Sequence, residues 1–271
     1  MSKKSTKYVA KVPDASGYIP YTEEENETWS ILMAKQRPIA QRYACDEWLE
    51  ACDRMAFPAD RIPQCNEVSK VLQAATGWSV YPCAALINFD DFFKLLANKQ
   101  FPAASFIRTR DELEYLQEPD IFHEIFGHTP LLTDRRFAEF THAYGELGLK
   151  ADKKDRVYLA RLYWFTVEFG LIKQRGKIKT YGAGIVSSMG ETPYSIDSDK
   201  ADRRRFDPLT VLRTPYRIDI FQPVYYWIES FDELFDLAHA DVMGLLAEAK
   251  RLGMFEPTYP VPPKSKKVKW A

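Results

Sequence analysis

Two of the four histidines lie in one eleven-residue segment, Glu118–His128, which is otherwise rich in isoleucine and phenylalanine. Pro119 is typical of a helix start and Gly127 of a helix end. His123 and His128 are five residues apart, which is about 140° around an ideal α-helix. We therefore expect both imidazoles to reach one metal ion only if the backbone bends or ends at Gly127. Otherwise they are two packed core histidines.

Glu168 is the only charged residue in the eleven-residue stretch Leu162–Ile172. A stretch this apolar is expected to be buried, and a buried carboxylate needs a cation beside it. Two imidazoles and one carboxylate form the facial ligand set of non-haem Fe(II) centres, which leaves open positions on the metal. The alternative is a buried arginine, although Arg161 lies seven residues away, too far for a direct contact on the same helix.

Three blocks of the chain, Glu118–His128, Tyr163–Gly170 and Tyr181–Glu191, carry a resemblance to a known family. The chain is similar, from about Thr76 to about Ser230, to the catalytic domain of the pterin-dependent aromatic amino acid hydroxylases. The resemblance implies molecular oxygen as oxidant and a tetrahydropterin, tetrahydrobiopterin or a relative, as cosubstrate. It also implies Fe(II) held by His123, His128 and Glu168, with Glu124 completing the catalytic residues.

For the pterin, the resemblance implies contacts from Leu86, Phe92, Glu124, Ala160 and Tyr163. Phe92 alone would be interpreted as a core aromatic, and Glu124 would also be tolerated on an exposed helix face. Residues 85–89 depart from the loop of the animal members, so backbone contacts to the pterin are expected to matter more than side-chain contacts there.

For the amino acid substrate, the resemblance implies that Arg108 binds the carboxylate, a task that suits a planar bidentate donor. A surface strand arginine is the alternative. The same resemblance places further residues around the substrate ring, with the last of them supporting a ligand histidine: Pro119, Trp164, Phe169, Gly184 and Ser187. Animal members carry Thr-Pro where this chain has Leu116-Gln117, so weaker substrate binding is expected.

Two positions bear on which aromatic amino acid is the substrate. Trp164 stands where the tryptophan-hydroxylating members usually carry phenylalanine, and Ile218 where tyrosine hydroxylases have aspartate. The resemblance therefore implies hydroxylation of L-phenylalanine to L-tyrosine. The same chemistry on tryptophan or tyrosine is the first alternative. Two further alternatives are a zinc hydrolase with Glu124 as general base, which the spacing of the histidines disfavours, and a non-catalytic metal-binding module.

The chain that must position these residues has 271 residues, 46% of them hydrophobic and 28% charged, which is typical of a soluble globular protein. A formal net charge of −1 argues against nucleic acid as a partner. Residues 71–89 carry no charge, but polar residues and Pro82 interrupt them, which favours buried core over a membrane span. The four cysteines are interpreted as reduced thiols and residues 1–11 as no secretory signal, which predicts a cytoplasmic protein.

The pattern predicts a mainly α protein with a few short β-strands, and the resemblance implies the single-domain catalytic fold of the family. We expect an N-terminal extension over residues 1–20, the catalytic domain over 21–261 and a basic C-terminal tail over 262–271. Without room for the family's regulatory domain and tetramerisation helix, a monomer or homodimer is expected.

Three helices are predicted between Glu23 and Leu72, with breaks at Pro38 and around residues 58–63. Another is capped by Asn88 and runs through Asn98. The remaining predicted helices are Thr133–Leu149, Tyr158–Ile172 and Phe231–Lys250, the last of which is begun by Ser230. The predicted extended segments are Trp78–Tyr81, Ser105–Thr109 and Phe221–Ile228.

Overall fold

Helices account for most of the regular structure in the computed structural model, which describes residues 8–83, 87–114, 116 and 118–259. The mainly α class predicted from the sequence is confirmed. The helices are α1 (Glu23–Tyr43), α2 (Asp46–Met55), α3 (Cys65–Thr76), α4 (Phe89–Ala97), α5 (Arg135–Lys150), α6 (Lys153–Tyr163), α7 (Ala183–Val186), α8 (Glu191–Asp197), α9 (Pro208–Arg213), α10 (Asp232–Ala238) and α11 (Val242–Leu252). Two π turns, His123–His128 and Trp164–Glu168, and short 3-10 turns at Arg110–Glu112 and Leu131–Thr133 complete the helical segments.

The strands form two small sheets. They are β1 (Ser79–Cys83), β2 (Gln100–Ala104), β3 (Gly170–Gln174), β4 (Lys177–Thr180), β5 (Asp202–Arg205) and β6 (Val224–Ile228). Strands β1 and β2 pair in parallel, with Ser79 opposite Gln100. The other sheet has the order β4-β3-β6-β5, in which only the β3–β4 pair is antiparallel.

The three N-terminal helices are confirmed, but the predicted break at Pro38 is wrong. Helix α1 continues through Pro38 to Tyr43. A proline inside a helix costs about 3 kcal/mol because it removes one hydrogen bond and crowds the preceding turn. Buried residues on both sides of Pro38, including Gln36 and Ala40, hold the helix in the core. Tertiary packing therefore outweighs the local preference for a break.

The predicted helix Tyr158–Ile172 is wrong at both ends. The helix begins five residues earlier, at Lys153, because the Asp152 side chain accepts backbone N–H groups of the first turn. Helix α6 passes into a π turn that ends at Glu168, and β3 starts at Gly170. Gly170, Leu171 and Ile172 pair in parallel with Tyr226, Trp227 and Ile228 of β6. Because this partner lies more than fifty residues away in the chain, local periodicity could not reveal the strand.

The predicted helix Phe231–Lys250 is two helices, α10 and α11. Asp241 caps α11, with its side chain accepting a hydrogen bond from the backbone N–H of Gly244. An aspartate that captures nearby backbone N–H groups competes with helix continuation and favours a new start. Ser230 accepts the backbone N–H of Asp232, but the N-cap residue of α10 is Phe231, so the predicted start at Ser230 is one residue too early.

The remaining secondary-structure predictions are confirmed in part. Asn88 caps α4 and the helix ends at Asn98, as predicted. Helix α5 also lies within one or two residues of its expected range, and β6 lies inside the predicted extended segment. The predicted strand Ser105–Thr109 is wrong, because pairing with β1 stops at Ala104 and the chain continues without a sheet partner.

The core is rich in aromatic rings that anchor the segment carrying the histidines. The Phe122 ring packs edge-on against Trp29 of α1, with centroids 5.3 Å apart, and Phe126 packs in the same way against Trp48 of α2 at 5.1 Å. Such pairs add about 0.5–1.5 kcal/mol each beyond the area they bury. This face of the π turn is therefore fixed in the core, while His123 remains partly exposed.

Two further expectations concern a membrane span and the state of the cysteines. Within the described residues, no helix combines the length and the apolar character needed to cross a membrane. Cys45, Cys52, Cys65 and Cys83 are free thiols, as predicted.

Candidate metal centre and substrate pocket

The first π turn brings the two histidines to one face of the backbone. Residues His123–His128 form a turn whose hydrogen bonds join residues five apart, so that residue i+5 lies over residue i. The Nε2 atoms of the two imidazoles are 3.1 Å apart. The sequence predicted that the backbone must bend or end at Gly127 to achieve this. The structure refines that expectation, because a π turn widens the backbone by one residue and the helical segment ends at His128, one residue after Gly127.

The second π turn supplies the carboxylate. The backbone N–H of Phe169 donates to the carbonyl of Trp164 at 2.8 Å, which closes the turn at Glu168. The Glu168 Oε1 atom lies 3.1 Å from Nε2 of His128, and Oε2 lies 3.6 Å from Nε2 of His123. One ligand atom from each of these three residues lies within 4.8 Å of the others. The histidines therefore take the place of the buried arginine that was the alternative partner.

A turn from the third sequence block packs closely on the backbone of Glu168. A Cβ atom at Gly182 would lie 2.4 Å from the carbonyl oxygen of Glu168, so only glycine fits there. The backbone N–H groups of Tyr181 and Gly182 donate to the carbonyl of Gly170 at 3.2 and 3.0 Å. These contacts fix the backbone at Glu168 and at Gly170.

Ser187 determines which nitrogen of His123 carries the proton. Its hydroxyl donates to the carbonyl of Ala183 at 2.7 Å and must therefore accept from Nδ1–H of His123 at 2.9 Å. Nε2 of His123 then carries a lone pair, and it lies 3.1 Å from Nε2 of His128 and 3.6 Å from Oε2 of Glu168. Metal-binding histidines commonly have their second nitrogen held in this way. The supporting role expected for Ser187 thus has the required geometry.

The electrostatics of the three residues suit a divalent cation. Burial lowers the pKa of His123 to about 4, although Glu168 opposes this effect, so the imidazole is neutral at neutral pH. Burial alone would raise the pKa of Glu168, but the imidazoles of His128 and His123 hold it below its usual range. Nitrogen donors and a carboxylate oxygen on one side of a site fit Fe(II) as well as Zn²⁺.

Glu124 is a buried acid next to the three ligands. Its Oε2 atom lies 3.9 Å from Nε2 of His128. Burial raises its pKa well above the usual range, and the nearby carboxylates of Glu168 and Asp120 raise it further. The alternative of an exposed helix face is therefore wrong. When it is protonated, the Glu124 carboxyl can donate a hydrogen bond.

Arg108 and Asp120 form a buried bidentate ion pair beside the first π turn. Nε of Arg108 donates to Oδ2 of Asp120 at 2.8 Å, and Nη2 donates to Oδ1 at 2.9 Å. Asp120 also accepts the backbone N–H of His123 at 3.1 Å. Burial raises the pKa of Asp120, but the guanidinium outweighs this effect and holds the pKa below its usual range. Arg108 is thus not a surface strand arginine.

Aromatic rings surround the carboxylate-bearing turn. The Trp164 indole lies against Phe169, with centroids 4.5 Å apart, and stacks on Tyr216 at 4.4 Å. Gly184 lies against the Phe169 ring, since a Cβ atom there would be 2.8 Å from Cζ of Phe169. The Trp164 Nε1–H donates to Oε1 of Gln222 at 3.1 Å. Trp164, Phe169 and Gly184 are therefore neighbours, as expected of one pocket.

Comparison with known proteins decides the family. The sequence profile described as "Biopterin-dependent aromatic amino acid hydroxylase" matches residues 2–242. The chain belongs to this family. A Pseudomonas aeruginosa phenylalanine-4-hydroxylase is 53% identical over 257 residues, covering 95% of this chain and 98% of that protein.

Solved structures of members of this hydroxylase family agree with the fold. The apo structure of the cold-active phenylalanine hydroxylase from Colwellia psychrerythraea 34H superposes with a TM-score of 0.90 at 52% identity, covering 92% of this chain and 97% of that chain. Chromobacterium violaceum phenylalanine hydroxylase with bound oxidised Fe(III) superposes with a TM-score of 0.86 at 41% identity, covering 93% of this chain and 91% of that chain.

The remaining residues implied by the hydroxylase resemblance lie at different distances from the ligands. Tyr163 stacks near His128 with centroids 6.4 Å apart, and Phe92 packs edge-on against Tyr163 at 5.5 Å. Ala160 lies three residues before Tyr163 on α6, where its carbonyl accepts the backbone N–H of Trp164. Pro119 is exposed beside Asp120, and Ile218 is 60% exposed. Leu86 and Gln117 lie outside the described residues.

Sequence reasoning missed three residues that contact the predicted site residues: Asp120, which pairs with Arg108, and Tyr216 and Gln222, which contact Trp164. A signal existed for Asp120, because an arginine and an aspartate that both border apolar runs are expected to be buried together. Tyr216 and Gln222 lie in the segment that contains Ile218. Their contacts with Trp164 join residues more than fifty positions apart, and no local pattern indicates such a pairing.

Proposed function

We propose that this chain is a phenylalanine 4-monooxygenase, which hydroxylates L-phenylalanine to L-tyrosine with molecular oxygen and a tetrahydropterin at an Fe(II) centre. The observation that carries the proposal is the convergence of His123, His128 and Glu168 beside an aromatic pocket. The phenylalanine-4-hydroxylase named above is similar over nearly the whole chain, which supports phenylalanine as the substrate.

His123, His128 and Glu168 would hold the iron, and Fe(II) bound there would activate oxygen together with the reduced pterin. The chain's own residues prepare this site before any ligand arrives. Ser187 keeps Nδ1 of His123 protonated, so that Nε2 is the donor. The aromatic core behind both π turns excludes water from one side, which strengthens every electrostatic interaction within the site.

Arg108 would bind the carboxylate of the amino acid. Asp120 engages its Nε and Nη2 atoms, whereas Nη1 makes only a 3.4 Å contact with the carbonyl of Leu113 among the described residues. Nη1 therefore keeps donor capacity for a substrate carboxylate. The ion pair also prevents the guanidinium from rotating, which lowers the entropy cost of binding. Pro119, Trp164, Phe169 and Gly184 would surround the substrate ring.

The pterin would lie between the ligands and α4. Phe92 is half-buried and offers a ring face for stacking, and Tyr163 forms the adjacent wall. Glu124, whose pKa is raised, would donate a hydrogen bond to a ring nitrogen or carbonyl of the pterin. Leu86 and Ala160 are proposed to complete this contact surface.

The test is tyrosine formation from phenylalanine by the purified chain, loaded with Fe(II) and supplied with a tetrahydropterin in air. Glu168→Ala should abolish product, whereas Glu146→Ala, which removes an exposed carboxylate on α5, should not. Competition among phenylalanine, tryptophan and tyrosine identifies the preferred ring. Peptide cleavage with Zn²⁺ and no pterin-dependent oxygen uptake would instead indicate a hydrolase.

The choice of phenylalanine is proposed to depend on Trp164 and Ile218. Trp164→Phe should increase the relative turnover of tryptophan, because a smaller side chain leaves room for an indole. Ile218→Asp should increase the relative turnover of tyrosine. Unchanged ratios of kcat/KM among the three amino acids in both variants would contradict this assignment.

We also propose that residues 21–261 form the catalytic domain, between the extension 1–20 and the basic tail 262–271. Free thiols at all four cysteines support a reducing compartment, and we propose the cytoplasm. A monomer or homodimer is proposed, and sedimentation of the purified chain distinguishes the two.

A further inference from the structure

Gln222 is a fully buried amide whose hydrogen-bonding groups are all engaged. Its Oε1 atom accepts the indole N–H of Trp164 at 3.1 Å. Its Nε2 group donates to two backbone carbonyls, those of Arg217 at 2.8 Å and Ile220 at 3.0 Å. One side chain therefore ties the Trp164 indole to the turn at residues 217–220.

The backbone of Gln222 is itself anchored. Its N–H donates to Oε1 of Glu191 at 2.9 Å, and the hydroxyl of Tyr225 donates to the same oxygen. Glu191 is buried on α8, a short helix that follows directly on the turn carrying Ser187. Because both the backbone and the side chain of Gln222 are held, its Oε1 atom presents a fixed acceptor to Trp164.

A fixed hydrogen-bond acceptor restricts the in-plane rotation of the indole, which stacking alone does not. Phe169 and Tyr216 contact the Trp164 indole through its ring faces, and such contacts still allow the ring to slide and turn in its own plane. A hydrogen bond to Nε1 removes that freedom, since it has a preferred direction and length. The in-plane orientation of the Trp164 indole is therefore set by Gln222.

We propose that Gln222 is a positioning residue for substrate selection: by holding Trp164 and the 217–220 turn in one arrangement, it sets the shape of the pocket that receives the aromatic ring. This inference rests on the proposed function, in which Trp164 lines that pocket. It explains how Ile218, although mostly exposed, is coupled to the ring site, because its turn and Trp164 share one amide.

Gln222→Met tests the proposal, because methionine has a similar length and no group that can replace the three hydrogen bonds. We expect the KM for phenylalanine to rise about tenfold and the KM for the pterin to change less than twofold. The preference for phenylalanine over tryptophan, measured as a ratio of kcat/KM, should fall by at least threefold. An unchanged phenylalanine KM and an unchanged ratio would overturn the proposal.

Gln64→Met is the matched control. Gln64 is also a buried glutamine whose side chain binds backbone, through both polar groups of Ile19, at the N-terminus of α3. The Gln64→Met substitution should lower the melting temperature without changing substrate preference. If Gln64→Met alters the preference as much as Gln222→Met does, the effect is a general loss of stability and the proposal is wrong.

A double-mutant cycle with Trp164→Phe shows whether Gln222 acts through the indole, since phenylalanine has no N–H for Gln222 to accept. In that background Gln222→Met should change the phenylalanine KM at least threefold less than in the parent chain. An equal change in both backgrounds would contradict action through Trp164.

A spectroscopic measurement separates this inference from the proposed function. Near-ultraviolet circular dichroism reports the asymmetric environment of an indole, so Gln222→Met should change the tryptophan bands in the parent chain but not in the Trp164→Phe background. Gln222→Glu, which keeps an acceptor for Trp164, should retain these bands. If the parent chain makes no tyrosine, the proposed function fails, whereas identical spectra for parent and Gln222→Met would reject the holding of Trp164.

Discussion

The Nε2 atoms of His123 and His128 lie 3.1 Å apart, although five residues separate the two histidines. On an ideal α-helix the two side chains would point about 140° apart. The π turn removes this difference because its hydrogen bonds span five residues. Glu168 also comes from a π turn, so both segments that carry ligands depart from α-helical geometry in the same way.

Gly127→Ala should loosen the first π turn. A Cβ atom at Gly127 would lie 2.9 Å from the backbone oxygen of Ala183 and 3.2 Å from its Cβ, so either the turn or α7 must shift. We expect a loss of about 1–3 kcal/mol in the free energy of unfolding, measured in urea. Fe(II) affinity, measured by competition with a chelator, should fall with it because His128 follows Gly127 directly.

Gly176→Ala is the control for this prediction. Gly176 has φ +76° in the turn between β3 and β4, where an added Cβ meets nothing within 4 Å. Alanine should cost about 1 kcal/mol there through backbone strain alone. Fe(II) affinity should stay unchanged, and an equal loss of affinity in both variants would argue against a specific role for the tight contact at Gly127.

Ser187→Ala should weaken metal binding without unfolding the chain. The substitution removes the acceptor of Nδ1–H of His123, so the ring loses both its orientation and its fixed tautomer. Loss of such a partner typically costs 10–100-fold in metal affinity, about the range we expect for Fe(II) or Co(II) in a titration. Ser195→Ala, which removes a buried hydroxyl bonded to the carbonyl of Thr192, should leave the affinity unchanged.

Asp120→Asn should be among the more destabilising conservative substitutions in this chain. It leaves the buried guanidinium of Arg108 without its counter-charge, at a cost of about 3–5 kcal/mol. Asp202→Asn removes an exposed partner of Arg204 and should cost less than about 1 kcal/mol. Urea unfolding of both variants provides the measurement, and equal losses would refute the importance of burial.

Glu191 should make the stability of the chain depend on pH. Burial raises its pKa from 4.5 to about 7, while the backbone N–H of Gln222 and the hydroxyl of Tyr225 oppose the shift. Between these two values the folded state binds a proton that the unfolded state has lost, so the free energy of unfolding falls as pH rises. The loss is complete above about pH 7 and amounts to about 3 kcal/mol from this group.

Glu191→Gln removes this titration and keeps an oxygen that can accept both hydrogen bonds. The measurement is the unfolding free energy of the variant and of the parent chain in urea, at pH 5 and at pH 8. Relative to the parent chain, the variant should be more stable at pH 8 than it is at pH 5. The same difference at both pH values would show that Glu191 keeps an ordinary pKa in the folded chain.

The ligands themselves could be predicted from the sequence. Two histidines in one apolar segment and a lone carboxylate in another are conspicuous because buried polar groups need partners. Local signals also sufficed for the cap at Asn88, since an asparagine side chain binds a backbone N–H only three residues away. Such signals act within one turn of helix, so their effect can be inferred without the rest of the chain.

The π turns, the passage of α1 through Pro38 and the strand at Gly170 were decided by tertiary structure. Each depends on packing or pairing with segments far away in the sequence, which outweighs local preferences of a few kcal/mol. The same holds for the partners of Arg108 and Trp164. The sequence by itself determined which side chains could bind a metal and the mainly helical class. Only the fold decided which of them meet, because contact between distant residues depends on the packing of the whole core.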